Sequence, residues 1–276
     1  MAACGIILSS CKNLIKKCFV YFVKISKSTN NKQQTTNNKQ QTTNNKQQTT
    51  NNLGQLYNKS DHEEQATISA QKSARLILEI VKKYFMPKSV IDIGCGAGTF
   101  LKCWQDMGVK ELKGLDLYSG DFERLLVSKD LLDIVDLNNF SAEKYPKYDM
   151  AISLEVAEHI QANSSKMFVN NLAKLSDLIL FSAAIPFQPG TAHINCRPIQ
   201  FWVDLFNAAG FDCFDCIRPA AMKNKDIEWW YSQNIMLFAK NQKREMLIAK
   251  DLKIDNSPLF FYHSEHVKML LGKAFD

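Results

Sequence analysis

Two carboxylates and two imidazoles carry the densest chemistry of this 276-residue chain: Glu155, Glu158 and His159 in the run Glu155-Val156-Ala157-Glu158-His159, and His193 beyond it. Glu158 and His159 are adjacent, and Glu155 and His159 stand one helical turn apart, so a shared site is geometrically open to them. An imidazole titrates near neutral pH, which makes His193 the candidate general base, with His159 and Glu158 beside it in candidate catalytic roles. A loop histidine bonded to backbone is the plainer alternative for His193. Two carboxylates and two imidazoles are also a donor set for a divalent cation. A second constellation stands upstream, where Val90 to Leu101 reads VIDIGCGAGTFL. It sets Asp92 two residues before Gly94, with Cys95, Gly96 and Gly98 following. Glycines suit a backbone that must turn sharply and approach a ligand closely.

These residues need a frame to hold them. Ser89 to Ile93 reads as a buried strand and Thr99 to Gln105 as a helix, the strand–turn–helix layout of a nucleotide-binding βα unit. A dinucleotide fingerprint would place its third glycine at position 99, which is Thr. The pattern is instead G-x-G-x-G with an acid ahead of it. Glu111 to Tyr118 reads as a second strand carrying Asp116, which can accept from ribose hydroxyls or serve as a turn acid. Leu131 to Leu137 reads as a third strand reaching Asp136, for which a cap before Asn138 and Asn139 is the plainer role. Tyr148 to His159 gives a fourth strand, and Asp177 to Phe187 a fifth that Pro186 stops. Ile199 to Ala208 is helix-like, with Phe201, Trp202, Leu205 and Phe206 on one face and Gly210 after it. Phe211 to Ile217 and Asn234 to Lys240 read as the last two strands, joined through residues 223–233. Ahead of the glycine turn, Ser60-Asp61-His62-Glu63 reads as a helix start. The helix repeats Ile68, Leu76, Ile77, Ile80, Val81 and Tyr84 until Pro87.

Asp92 with the glycine turn, Asp116, Asp136 and the Glu155–His159 run, in that order, resemble the motifs of class I S-adenosylmethionine (SAM) dependent methyltransferases. The branch resembled is a bacterial one with an E-V-x-E-H motif. The resemblance implies an α/β fold: a Rossmann-like, seven-stranded, doubly wound sheet with helices on both faces and the last strand antiparallel. Residues 61–240 would be the SAM-dependent methyltransferase domain. It implies SAM as cofactor, its methionine end held by Asp92 and the backbone of Gly94, Cys95, Gly96 and Gly98. Asp116 and Leu117 would meet the ribose, Asp136 and Leu137 the adenine, with Glu155 near the cofactor. The segment from His193 to Asn234, with Trp229, Trp230 and Tyr231, is similar to a subgroup associated with surface-glycan and secondary-metabolite pathways. That implies an oxygen of a small molecule or glycan as methyl acceptor, with Trp229 and Trp230 stacking on a sugar or forming core at a sheet edge. Glu155, Glu158, His159 and His193 also resemble the set that binds a divalent metal in small-RNA 2′-O-methyltransferases, so metal-assisted RNA methylation is the alternative. A SAM-binding partner protein without turnover, membrane-tethered through its tail, is another.

The first sixty residues follow different rules. A polar heptad, Thr29-Asn-Asn-Lys-Gln-Gln-Thr35, recurs twice more and then decays, with no apolar seam and no core to bury. Residues 29–60 therefore read as a disordered, low-complexity linker. Ahead of it, within residues 1–28, Cys11 to Lys27 places five lysines within an arc of about 140° when projected as a helix. This basic amphipathic segment is suited to peripheral contact with an anionic membrane surface through residues 11–27. It is too short and charged to span, and no basic leader marks a secretory signal. Residues 1–60 hold nine Lys and no acid, leaving 25 basic against 28 acidic residues in the remainder. The net charge of +6 thus belongs to the tail, and the domain shows no basic stripe for nucleic acid. Cys213-Phe-Asp-Cys216 is a lone C-x-x-C, a weak zinc pattern. Eight cysteines without a disulfide framework suit a reducing cytoplasm, at most peripheral to the inner membrane face. The extension 241–276 reads as partly helical and carries no motif.

Overall fold

Helix α1 (His62–Lys82) turns Ala74, Ile77, Leu78 and Val81 inward and stops short of Pro87, which disfavours a helical Met86. This is a computed structural model, and it describes residues 62–117 and 125–275. The basic segment, the heptad linker and the helix start at Ser60-Asp61 lie outside those residues.

Seven strands follow: β1 (Ser89–Ile93), β2 (Glu111–Asp116), β3 (Leu132–Ile134), β4 (Met150–Leu154), β5 (Leu178–Ser182), β6 (Asp212–Phe214) and β7 (Met236–Ala239). They form one sheet in the order β3-β2-β1-β4-β5-β7-β6. The first five pair in parallel, whereas β7 runs antiparallel between β5 and β6. Helices cover both faces, so the strands bury both sides and read as unbroken apolar runs rather than alternating ones. Val90, Met150, Ile152, Leu178, Leu180 and Leu237 share one core with α1 and with Phe100, Leu101 and Trp104 of α2 (Thr99–Asp106). Ile91, Ile93, Ala151, Ile179, Phe181 and Phe238 share the other with α3 (Ser165–Leu175) and α4 (Ile199–Ala208). The chain then adds two short helices, α5 (Arg218–Ala221) and α6 (Trp229–Asn234), and, after β7, α7 (Asn241–Ile248) and α8 (Ser264–Phe275). No helix among the described residues is long and apolar enough to cross a membrane.

Several strands are shorter than their apolar runs suggest, because a strand lasts only as long as its neighbours. The third ends at Ile134, paired with the last residue of β2, so Asp136 stands beyond the ladder. The fifth ends at Ser182, opposite Leu154 at the end of β4; Ala183, Ala184 and Ile185 stay buried without strand pairing. At the sheet edge β6 keeps three residues, and Arg218-Pro219 turns the chain into α5 rather than extending to Ile217. Trp229 and Trp230 begin a helix, and Trp230 packs, partly buried, against the first core.

Order along the chain places the site. After β1 the chain crosses to α2 on one face, and after β4 it leaves toward α3 on the other. β1 and β4 are nonetheless adjacent, with Val90, Ile91 and Asp92 opposite Met150, Ala151 and Ile152. The crevice outside their carboxyl ends is the switch point at which open α/β sheets bind ligands.

The second core depends on Phe206, which is fully buried, stacks on Phe238 at 4.0 Å and meets Phe181 edge-on at 5.1 Å. Phe206→Ala is expected to lower unfolding free energy by about 3–5 kcal/mol in chemical denaturation. A loss below about 1 kcal/mol would contradict this packing.

Candidate active site

The glycine turn departs from β1 with left-handed backbone at Gly94 (φ 83°) and Gly98 (φ 85°), a region that side chains with a Cβ rarely adopt. Space matters as well. A Cβ on Gly94 would run into the Val156 methyls, so the turns after β1 and β4 approach each other only because residue 94 is bare. The amides of Gly94 and Cys95 donate to Leu115 O at 2.7 and 3.2 Å, and Gly96 N–H donates to Asp116 Oδ2 at 2.7 Å. Asp116 thus stands at the end of β2 facing the turn. Burial raises its carboxyl above the ordinary range, against the lowering effect of the Gly96 and Leu117 amides. Asp92 is 3% exposed, and burial, with the Asp116 charge nearby, pushes its carboxyl up to about 8. Cys95 is buried and its thiol is pushed far up by desolvation, so it is no nucleophile.

Beyond β3, Asp136 is held by its own turn: Oδ1 accepts from Asn138 N–H and Nδ2, and Oδ2 from Asn139 Nδ2. Leu137 is buried in the core beside it and Leu117 is half-buried after Asp116.

The acid–imidazole set divides. Glu155 (φ 54°) leaves β4 with its N–H on Ser182, and its carboxylate accepts from Gln188 Nε2 at 2.8 Å and from Asn234 Nδ2 at 3.1 and 3.3 Å. Burial raises its carboxyl, and these donors oppose the rise. Glu158 lies in the 3-10 turn Ala157–His159, fully buried, and neither carboxylate oxygen makes a well-formed hydrogen bond. Burial and then the Glu155 charge hold its carboxyl well above the usual range; the nearby Glu158 and Ala184 amides only moderate the shift.

His193 comes to Glu158 across the loop after β5, its Nε2 3.8 Å from Oε1. Its Nδ1 donates to Gln188 O at 3.2 Å, so Nε2 is the basic nitrogen. Likewise His159 Nδ1 donates to Ala192 O at 3.1 Å, and the two rings meet edge-on with centroids 5.0 Å apart. Burial, and for His159 also the neighbouring His193, lowers both imidazoles, His159 to about 4. Both shifts favour the neutral imidazole. Ligand atoms of Glu158, His159 and His193 lie within 4.8 Å of one another, the one such acidic or imidazole group among the described residues. Cys213 and Cys216 are outside it, with thiols raised by burial.

The loop is clamped onto this cluster. Ile194 and Asn195 N–H both donate to Glu158 O at 2.9 Å, and the buried Asn195 amide reaches Ala157 O and Ser165 Oγ. Phe187 (φ 69°) and Ala192 (φ 58°) hold unfavourable backbone there, a strain that persists only where surrounding contacts over-determine it. On the same loop Phe187 and Ile194 are 64% and 63% exposed. Gln188, Gln233 and Asn234, all buried, are site residues that periodicity and motif spacing do not reveal. Their one signal is polar side chains beside apolar runs that end in strands.

Residues 62–216, more than half of the chain, match the family model described as a methyltransferase domain. The chain belongs to this methyltransferase family. Among solved structures the methyltransferase is similar to magnesium protoporphyrin IX methyltransferase from Synechocystis PCC 6803 with bound SAM, at 18% identity and TM-score 0.41, covering 63% of this chain and 81% of that one. It is similar to the methyltransferase domain of bacterial CtHen1-C at 19% identity and TM-score 0.46, covering 62% and 99%. A third is a SAM dependent methyltransferase from Archaeoglobus fulgidus, at 17% identity and TM-score 0.46, covering 62% and 94%. No curated protein sequence matches the chain.

In this methyltransferase the His193 ring occupies the space that a Cβ on Gly190 would need. Gly190→Ala is therefore expected to leave the fold intact, displace the imidazole from Glu158 and lower kcat by about 10-fold or more. Circular dichroism and steady-state kinetics check this; an unchanged kcat would remove His193 from the chemistry.

Proposed function

We propose that this methyltransferase moves the methyl group of S-adenosylmethionine onto an oxygen of a small molecule or glycan. The observation that carries the reading is His193, whose Nδ1 is committed to Gln188 O while its basic Nε2 turns toward the buried Glu158 carboxyl. The residues across the crevice fit the cofactor. Asp116 stands at a strand end where it can accept from vicinal hydroxyls, and the space beyond Gly96 Cα is open, so the turn presents bare backbone. Asp92, Gly94, Cys95, Gly96 and Gly98 would hold the methionine end, Asp116 and Leu117 the ribose, and Asp136 and Leu137 the adenine. Glu155 would face the cofactor from β4. When bound, S-adenosylmethionine supplies an already activated methyl group, so alignment and proton removal remain for the protein.

His193 Nε2 takes the proton of the acceptor hydroxyl. Gln188 O fixes the ring's tautomer and direction, and Glu158 lies near enough to share the proton once the imidazole is charged. His159, held by Ala192 O, packs edge-on to that ring and limits its rotation. Phe187 and Ile194 give the acceptor an apolar rim at the mouth.

One observation favours a second reading. Glu158 has two buried oxygens without hydrogen-bond partners, and its ligand atom lies within 4.8 Å of those of His159 and His193. These three residues fit a divalent cation, which when bound would lower the proton affinity of an acceptor oxygen. His193 would then be a ligand rather than a base. RNA suits neither reading well, since acids outnumber bases 28 to 25 beyond residue 60.

A labelled-methyl transfer screen over sugars, glycans, small hydroxyl compounds and RNA ends tests the proposal. The expected result is transfer to a sugar or small hydroxyl acceptor, unaffected by chelation, with His193→Ala lowering kcat by about 10²–10⁴-fold. Loss of turnover on chelation and its return with added Mg²⁺ would assign the metal reading. Transfer confined to RNA would overturn the acceptor class.

A further inference from the structure

Glu155 does not stand alone; three buried amides connect it to the C-terminal segment. Gln188 lies in the loop after β5, and Gln233 and Asn234 end α6, at 7%, 1% and 1% exposure. A side-chain amide can face either way, but a backbone N–H can only donate, and two backbone N–H groups close the choice. His263 N–H donates to Gln233 Oε1 at 2.7 Å, and Ile185 N–H to Gln188 Oε1 at 3.4 Å. His266 Nδ1 adds a second donor to Gln233 Oε1 at 3.2 Å. With its oxygen engaged on the C-terminal side, Gln233 must send Nε2 inward, where it donates to Gln188 Oε1 at 3.3 Å and Asn234 Oδ1 at 3.2 Å. Those two oxygens are then acceptors, so the amide nitrogens of Gln188 and Asn234 must turn outward and donate to the Glu155 carboxylate.

The C-terminal segment from which this run of amides starts is itself tied down. Buried Arg218 grips Asp215 through two nitrogens at 2.8 and 2.5 Å and donates to Leu259 O at 3.0 Å and Gln233 O at 3.3 Å. Trp229 stacks on His263, and His266 packs between Trp229 and Tyr262 at 5.2 and 5.0 Å. Gln233, Asn234, His263 and His266 all lie beyond residues 62–216 that match the family.

We infer that Gln233 is a positioning residue for cofactor binding: oriented by the His263 N–H and His266, it sets the direction of the Asn234 amide, which beside Gln188 delivers N–H donors to Glu155. Methyltransferase site and C-terminal extension are thereby one hydrogen-bonded unit. The part concerning the cofactor rests on the reading that Glu155 faces S-adenosylmethionine; the direction of the chain does not.

A double-mutant cycle between Gln233 and Glu155 in the full chain tests it, read by calorimetric SAM affinity and by urea unfolding. Gln233→Glu keeps the acceptor for His263 but puts an oxygen against Asn234 Oδ1, so the Asn234 amide must reverse and aim its carbonyl at Glu155, while the Ile185 N–H keeps Gln188 as it is. SAM binding is expected to weaken by about tenfold or more. Glu155→Gln supplies a donor to the reversed Asn234 amide, so the double variant should bind within about threefold of Glu155→Gln alone. The unfolding constants should show the same non-additivity. Gln233→Met, uncharged and of similar shape, serves if the buried glutamate prevents folding, and it too should abolish the coupling. Effects that simply multiply in both readouts would overturn the inference. Non-additive unfolding without SAM binding by the wild type would uphold the chain's direction and defeat the cofactor reading. Non-additive unfolding with SAM affinity unchanged in Gln233→Glu would leave Gln233 structural and overturn the positioning role.

Discussion

Everything at the site depends on the close contact between Gly94 and Val156. β1 and β4 lie side by side, yet the chain leaves them toward opposite faces of the sheet, which makes the departing turns the place where open α/β sheets bind ligands. Those turns carry the glycines on one side and the acid–imidazole run on the other. They can share a crevice only if they approach without a Cβ between them, which is what Gly94 permits. Val156, the apolar member of the Glu155–His159 run, fills the gap and holds that run in place. Motif and sheet topology are thus two descriptions of one packing constraint.

The second feature is concentrated burial of polar groups. Asp92, Glu158, Gln188, Asn195, Gln233 and Asn234 are all below one-tenth exposed. Burying such groups costs several kcal/mol unless they are hydrogen-bonded. The amides meet that requirement through one another, and Asn195 meets it through Ala157 O and Ser165 Oγ. Glu158 does not, and its raised proton affinity is the consequence. Glu158 is thus a buried carboxyl without a hydrogen bond, with the imidazoles of His193 and His159 beside it. The strained backbone at Glu155, Phe187 and Ala192 surrounds that same point.

Much of this is legible in the residues themselves. The strand, glycine turn and helix from Ser89 onward are local patterns, and α4 spans Ile199–Ala208 as its apolar face and Gly210 suggest. The convergence of His193 on Glu158 and His159 follows from loops after neighbouring strands, so topology alone brings it within reach. What local pattern misses is pairing. The end of β3 is set by β2 and the end of β5 by β4, so the apolar runs overstate both strands. Asp136 fell outside the ladder for that reason and is occupied by Asn138 and Asn139. The Gln188–Gln233–Asn234 chain was hidden for another: its members lie 45 and 46 residues apart in sequence, in a loop and a short helix with no periodicity to betray them.

On this packing the two turns at the switch point would form one cofactor site with Asp116 at its edge. Calorimetric titration of S-adenosylmethionine into the wild type and Asp116→Ala tests it most directly. Saturable one-to-one binding is expected for the wild type, with a loss of about tenfold or more in affinity for a variant that is still folded. Absence of binding by the wild type, or equal affinity in the two proteins, would contradict it.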